Sequence, residues 1–314
     1  MHRLVLCSTW ILVALAVSTA AAQRFALPSQ FDEVVGAVMN VAASREETLL
    51  DIARRFDVGQ EEILLANPSV DRWLPAEGAE VIVPTSHVLP RTPRTGLVLN
   101  VPEMRLYFYP PREPGQHAVV HTYPVSIGRM DWLTPLGRAR IVEKTENPAW
   151  HPPESIVAER LSNGEPPPTT IPPGPDNPLG RFALRLSIPG YLIHSTNKPF
   201  GVGMRVTHGC VRMYPEDMEQ LFPLVPIGTH VVILNEPIKV GWLGNELFVE
   251  AHPPLEEERA RWDVRARAEE LVQLENSKRP FVLDRSSLDQ ALTLQNGIPT
   301  RIGRARAAGT AASP

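Results

Sequence analysis

The chain has 314 residues, 43% of them hydrophobic, enough for two ordinary domains or one catalytic domain with smaller attachments. Its formal net charge is -4 with both signs mixed, which excludes the basic face of a nucleic-acid binder, so no nucleic acid is expected among its partners. Proline is abundant at 33 residues and aromatics make up only 6%, so long ordered connections are expected rather than a helical bundle.

Residues 1–22 read as a signal peptide. Met1-His2-Arg3 is a short positive start, Leu4 to Val17 is apolar apart from Ser8 and Thr9, and Ser18-Thr19-Ala20-Ala21-Ala22 supplies small residues. The apolar run is short for a membrane span, and cleavage after Ala22 is expected. Cleavage removes Cys7 and leaves Cys210 as the only cysteine. A lone thiol in an exported chain forms no internal disulfide, which points to a chemical role for Cys210.

Residues 23–40 form a lead-in with a short strand, Val34 to Val41. In the unit 41–86, apolar residues at 49, 52, 53 and 56 have helical spacing, and Asp57-Val58-Gly59 stops that helix. Glu61 to Ala66 predicts a second short helix, ended by Asn67-Pro68, and Glu80 to Pro84 a closing strand. Residues 87–94 are a proline-containing linker.

From 95 to 236 the pattern is mainly β. Alternation and β-branched residues predict strands at Leu97–Val101, Met104–Tyr109, Val119–Ile127, Arg138–Val142, Phe182–Ile188, Tyr191–His194 and His230–Leu234. Residues 147–180, rich in Pro, Gly and Asn, predict a long structured loop. A helix is expected from Pro215 to Leu221, opened by its first-position proline. Residues 237–302 read as a partly helical extension, with a charged helix over Leu255–Leu274 and a shorter one over Ser287–Leu294. Residues 303–314 have the composition of a disordered tail.

The chemistry-bearing stretch runs from Ile193 to Met213. A thiol enzyme needs a base or cation to generate thiolate, and backbone donors to hold an oxyanion. This stretch supplies Cys210, two histidines (His194 and His208), several glycines and two arginines (Arg205 and Arg212). The residues alone leave open which histidine is the base. Zinc would find only three ligands of the right type here and no Cys-x-x-Cys pair, so no metal site is expected.

His194, followed after a spacer by Thr207-His208-Gly209-Cys210-Val211-Arg212, resembles the signature of YkuD-type L,D-transpeptidases. The intervening Phe200-Gly201-Val202-Gly203-Met204-Arg205 is similar to the ErfK/YbiS branch of that family. So are Asn100 to Tyr107, Thr134-Pro135-Leu136-Gly137, Pro148-Ala149-Trp150 and Pro172 to Gly180. Thr48 to Ala53, Asn67-Pro68 and Gly78 leading into Val81-Ile82-Val83-Pro84 resemble a LysM module. The resemblance implies a mainly β, YkuD-like β-sandwich catalytic domain, a small βααβ LysM-like domain and a helical C-terminal extension.

It also implies roles. Cys210 attacks the carbonyl, His194 takes the thiol proton, and the Ser195 carbonyl orients the histidine. Amides around Gly209 and Cys210 form the oxyanion hole, and His208 lines the site. Arg212, and less directly Arg205, would hold a substrate carboxylate, while Tyr191 and Trp150 would line the cleft. The implied reaction moves a peptidoglycan tetrapeptide stem through a thioester to an amine, in the periplasm, with no metal or organic cofactor. The partners implied are stem peptides, wall glycan and, as one acceptor, an outer-membrane lipoprotein; a second stem peptide is the other acceptor. A thiol hydrolase on the same substrates and a non-catalytic wall-binding protein remain as alternatives. The sequence carries no signal of oligomeric state.

Overall fold

The computed structural model describes residues 23–306 except 28, 30, 113 and 114. The expected signal peptide lies outside the described residues, as does the tail from 307.

The first strand, β1 (Gln23–Leu27), is followed by β2 (Val34–Ala42), α1 (Leu49–Arg55), α2 (Gln60–Ala66) and β3 (Glu80–Val88). Strands β2 and β3 pair antiparallel from Val34↔Val88 to Ala42↔Glu80, so with α1 and α2 they make a βααβ unit that begins at Val34. Its core is Leu49, Ile52, Ala53, Val58, Ile63, Val81 and Val83. Thr48 caps α1 by accepting from the Asp51 N–H, while the Asp51 carboxylate accepts from the Thr48 N–H, which explains the helix start. Buried Asn67 ends α2 and bonds the Ile63 and Ile82 carbonyls and the Ile82 N–H, joining the helix to β3.

The catalytic part follows as β4 (Gly96–Asn100), β5 (Arg105–Tyr109), β6 (Ala118–Gly128), β7 (Gly137–Glu146), α3 (Glu154–Ser162), β8 (Phe182–Leu186), β9 (Leu192–His194), β10 (Arg205–Thr207), β11 (Val211–Met213), α4 (Pro215–Leu224) and β12 (His230–Leu234). The strands run in the order β1-β6-β11-β9-β8-β7-β12-β4-β5, and β5 also pairs with β6. Two long strands make the corners. The first half of β6 pairs with β1 and β5, and its last residues pair with β11 and β10. Likewise β7 pairs first with β12 and then with β8. The result is a mainly β sandwich of two sheet halves, filled by residues such as Leu97, Leu106, Phe108, Tyr123, Ile141, Leu184, Ile193 and Val211.

Two elements depart from the sequence reading. The loop 147–180 contains α3, which buries no residue and so has no apolar stripe to announce it. The extension holds more than helices. Hairpin strands β13 (Ile238–Leu243) and β14 (Glu246–Ala251) precede α5 (Val264–Lys278), β15 (Phe281–Leu283), α6 (Arg285–Leu294) and β16 (Thr300–Ala305). The four strands form one sheet in the order β13-β14-β16-β15. Residues 303–305, expected in the tail, are the end of β16, paired with β15 and β14. The charged stretch 256–261 is a 3-10 turn, and the helix proper starts at Val264 behind an Asp263 cap.

All three parts meet around one buried ammonium. Lys239 of β13 sits 2.8 Å from a Glu103 oxygen and 2.9 Å from a Glu250 oxygen, all three side chains buried. Tyr107 donates to Glu103, and the Val88 N–H of the βααβ unit donates to Glu250. Burial, with Arg105 and Lys239 nearby, keeps His87 well below its ordinary pKa and hence neutral. His87, Glu103 and Glu250 have the types of metal ligands, but Lys239 supplies the cation between the two carboxylates.

The βααβ unit is also docked on the catalytic part. Arg105 is fully buried and pairs with both oxygens of Glu62 at 2.9 and 2.8 Å. The first N–H groups of α2 donate to the carbonyls of Val202 and Gly203. Gly203 has φ +83, and a Cβ there would lie 2.2 Å from the Gln60 nitrogen, so only glycine allows this approach.

Replacing Lys239 by Met is expected to lower stability by about 3–5 kcal/mol, because two buried carboxylates would face each other without a cation. Urea unfolding of the variant measures this, and an unchanged midpoint would show that the ammonium contributes nothing.

Candidate active site

The site is built on two adjacent strands. β9 and β11 pair in parallel, with Ile193 opposite Val211 and His194 opposite Arg212. Ile193 and Val211 point into the core. Side chains alternate along a strand, so His194, Arg212 and Cys210 all project from the other face. Strand spacing and rise place the Cα atoms of His194 and Cys210 about 8 Å apart, a gap their side chains can span.

The histidine is oriented by its own backbone neighbour. Its Nδ1 lies 2.6 Å from the Ser195 carbonyl oxygen, which can only accept. Nδ1 therefore carries the proton, and Nε2 is left with a lone pair. Burial, then the Arg212 charge, push the ring down to a pKa of about 4, while the Ser195 and Leu179 carbonyls pull the other way. Packing makes this arrangement tight: Gly180 has φ +64, and a Cβ there would lie 2.7 Å from the Ser195 side chain.

Cys210 is half-buried and its sulfur lies 3.7 Å from the Gly190 carbonyl oxygen. Among the described residues no hydrogen bond joins it to His194. Burial raises the thiol pKa, against the pull of the Leu192 N–H and of Arg212. Burial thus favours the neutral form of both the thiol and the imidazole.

The turn before the cysteine is held by two threonines that the sequence reading did not single out. Thr207 Oγ1 donates to the Cys210 carbonyl at 2.6 Å and accepts the Gly209 N–H at 3.2 Å. Thr134 Oγ1 donates to the Gly209 carbonyl and accepts the Gly128 N–H, both at 2.9 Å. Gly209 has φ +99, and a Cβ there would lie 2.6 Å from the Tyr191 ring. Half-buried Tyr191 thus packs directly beneath the nucleophile turn. The Gly209 N–H, expected to serve an oxyanion, is engaged by Thr207 in this resting arrangement. Both threonines stood inside motifs already noted, Thr134-Pro135-Leu136-Gly137 and Thr207-His208-Gly209-Cys210.

Three further expected site residues have partners of their own. Arg205 pairs both terminal nitrogens with Glu257 of the extension, at 2.8 and 2.7 Å, so its guanidinium is not offered to a substrate. His208 turns its Nε2 to Glu159 of α3 at 2.6 Å, and its ring lies 5.4 Å from Trp132. Trp150 exchanges backbone hydrogen bonds with Ile171 and closes the base of the loop that carries α3. Buried Asn177 secures the same loop through the carbonyls of Pro148, Ile171 and Pro172. By contrast, no ion pair engages Arg212 among the described residues, and its Nε is buried without a partner.

Alkylation of Cys210 by iodoacetamide is expected to accelerate steadily from pH 5 to pH 9, the behaviour of a raised thiol that ionises alone. Rates measured across that range would show a plateau between about pH 5 and 7 if a thiolate–imidazolium pair existed at rest, contrary to this reading.

Comparison with known proteins gives a consistent result. Residues 94–233 match the YkuD family, described as the L,D-transpeptidase catalytic domain. The chain is 36% identical over 296 residues to Probable L,D-transpeptidase YbiS of Escherichia coli K12, covering 91% of this chain and 94% of that protein. It is 41% identical over 251 residues to Probable L,D-transpeptidase YcfS of the same organism, covering 78% and 77%. It is 34% identical over 312 residues to Probable L,D-transpeptidase ErfK/SrfK, again from that organism, covering 95% and 96%. With a parallel strand pair presenting thiol and imidazole on one face and relatives aligned along nearly the whole chain, the protein belongs to the YkuD family of L,D-transpeptidases.

Proposed function

We propose that the protein is an exported cysteine transpeptidase that works on the peptide stems of bacterial peptidoglycan in the periplasm. The observation that carries this reading is His194 directly opposite Arg212, two residues after Cys210, on adjacent parallel strands, with no ion pair to Arg212 among the described residues. The thiol adds to a stem carbonyl while His194 Nε2 takes its proton. The protonated ring then delivers that proton to the departing terminal D-alanine amine, leaving the stem as a thioester on Cys210. An acceptor amine attacks the thioester, returns its proton through His194 and restores the thiol. The acceptor is the side-chain amine of a second stem or the lysine of an outer-membrane lipoprotein.

Arg212 is suited to a stem carboxylate, because a guanidinium pairs bidentately with one and this one lacks a protein partner. The rim carries exposed Leu133, Leu136 and Phe200, apolar surface that disfavours water as the acceptor and so disfavours the hydrolase reading. The βααβ unit is read as a LysM-type glycan contact. Its exposed Trp73 and Leu74 offer the apolar surface on which a sugar ring stacks.

Incubation with a disaccharide-tetrapeptide should give an adduct of the stem less D-alanine, seen by intact mass spectrometry, and none with Cys210→Ala. An adduct persisting in that variant would overturn the mechanism. Supplying an amine should yield a transpeptidation product rather than free acid; free acid alone would make the protein a hydrolase. Arg212→Gln is expected to raise KM for the stem about tenfold or more, with a smaller change in kcat, as loss of one charged hydrogen-bonded contact predicts. Steady-state kinetics check this, and an unchanged KM would remove Arg212 from substrate binding.

A further inference from the structure

Glu159 lies outside the pair that does the chemistry, yet it reaches both sides of the nucleophile turn. One carboxylate oxygen accepts from His208 Nε2 at 2.6 Å, and the other pairs with Arg129. His208 immediately precedes the Gly209-Cys210 turn. Arg129 belongs to the neighbouring segment, and its N–H donates to the Thr207 carbonyl at 3.1 Å. The circuit closes through Trp132, whose N–H donates to the Arg129 carbonyl and whose ring lies against His208. Thr134, five residues beyond Arg129, then holds the Gly209 carbonyl. Arg129 and His208 together keep the Glu159 carboxyl below the usual range, so it is ionised at neutral pH.

The helix that supplies Glu159 has little else to hold it. α3 buries no residue. Its other charged tie, Arg160 to Glu165, stays within the same loop. Among the described residues, Glu159 alone on α3 makes side-chain hydrogen bonds to the sandwich.

We propose that Glu159 is a positioning residue: reaching from α3, its carboxylate clamps Arg129 and His208 together and so holds the Gly209-Cys210 turn in the conformation that receives the acyl donor. The role rests on the reading of Cys210 as the nucleophile. It assigns α3 a task in the transfer step that its exposed, unpatterned sequence gives no hint of.

The test compares Glu159→Ala and Glu159→Gln with Glu165→Ala, which removes an ion pair of the same loop without touching the turn. Each full-length protein is assayed with the disaccharide-tetrapeptide, and Cys210 is separately alkylated with iodoacetamide. Glu159→Ala is expected to lower kcat by about tenfold or more while KM changes less than about threefold, the signature of a lost positioning contact. Its alkylation rate should differ from wild type by at least about fivefold, since the turn that presents the thiol is released. Glu159→Gln keeps a neutral hydrogen bond and should fall between, and Glu165→Ala should match wild type in both assays. Wild-type alkylation rates in Glu159→Ala overturn the proposal whether or not the wild-type protein turns over the peptide. A loss confined to KM, or an equal loss in Glu165→Ala, overturns it as well.

Discussion

The site depends on the parallel register between β9 and β11. Pairing Ile193 with Val211 sends those two side chains into the core and leaves His194, Cys210 and Arg212 on the opposite face. A shift of one residue in either strand would turn the thiol or the imidazole inward, because strand side chains have period two. The core therefore enforces the register: Ile193, Val211 and Met213 are each at most 1% exposed. The chemistry is positioned by apolar burial on the reverse side of the same two short strands.

The connection between those strands does more than close the chain. Its glycines bring residues 201–203 against α2, where two carbonyls satisfy helix N–H groups that would otherwise lack partners. Farther along, Arg205 reaches Glu257 in the extension. One segment, bounded by His194 and Cys210, thus touches both accessory parts of the molecule. Buried Asp57 and Asp217 lie at the same junction. Burial pushes Asp57 up to about 6 and Asp217 well above the ordinary carboxyl range.

What the sequence made legible was local. His194 and Cys210 stand in one short stretch, and alternation along each strand of the sandwich was plain. What it hid was set by distant partners. Arg205 looked like a substrate ligand because its carboxylate lies 52 positions away in a different part of the fold. His208 looked like part of the nucleophile's environment because adjacency in sequence says nothing about which way a ring turns, and Glu159 draws it aside. α3 was invisible because a helix that buries nothing leaves no periodic trace. The hairpin of β13 and β14 did leave a signal: Gly244-Asn245 is a two-residue connection between apolar runs, with Gly244 at φ +56. The charged stretch after it drew attention to helices instead.

The buried ammonium of Lys239 has a consequence for where this protein can be divided. The catalytic-domain match ends at residue 233, six positions short of that lysine, whereas the full-length relatives align on into the extension. A fragment trimmed to residues 94–233 would keep buried Glu103 but lose the ammonium that neutralises it. A cut there would leave a buried carboxylate without its counter-ion, so charge ties the matched domain to the extension that follows it.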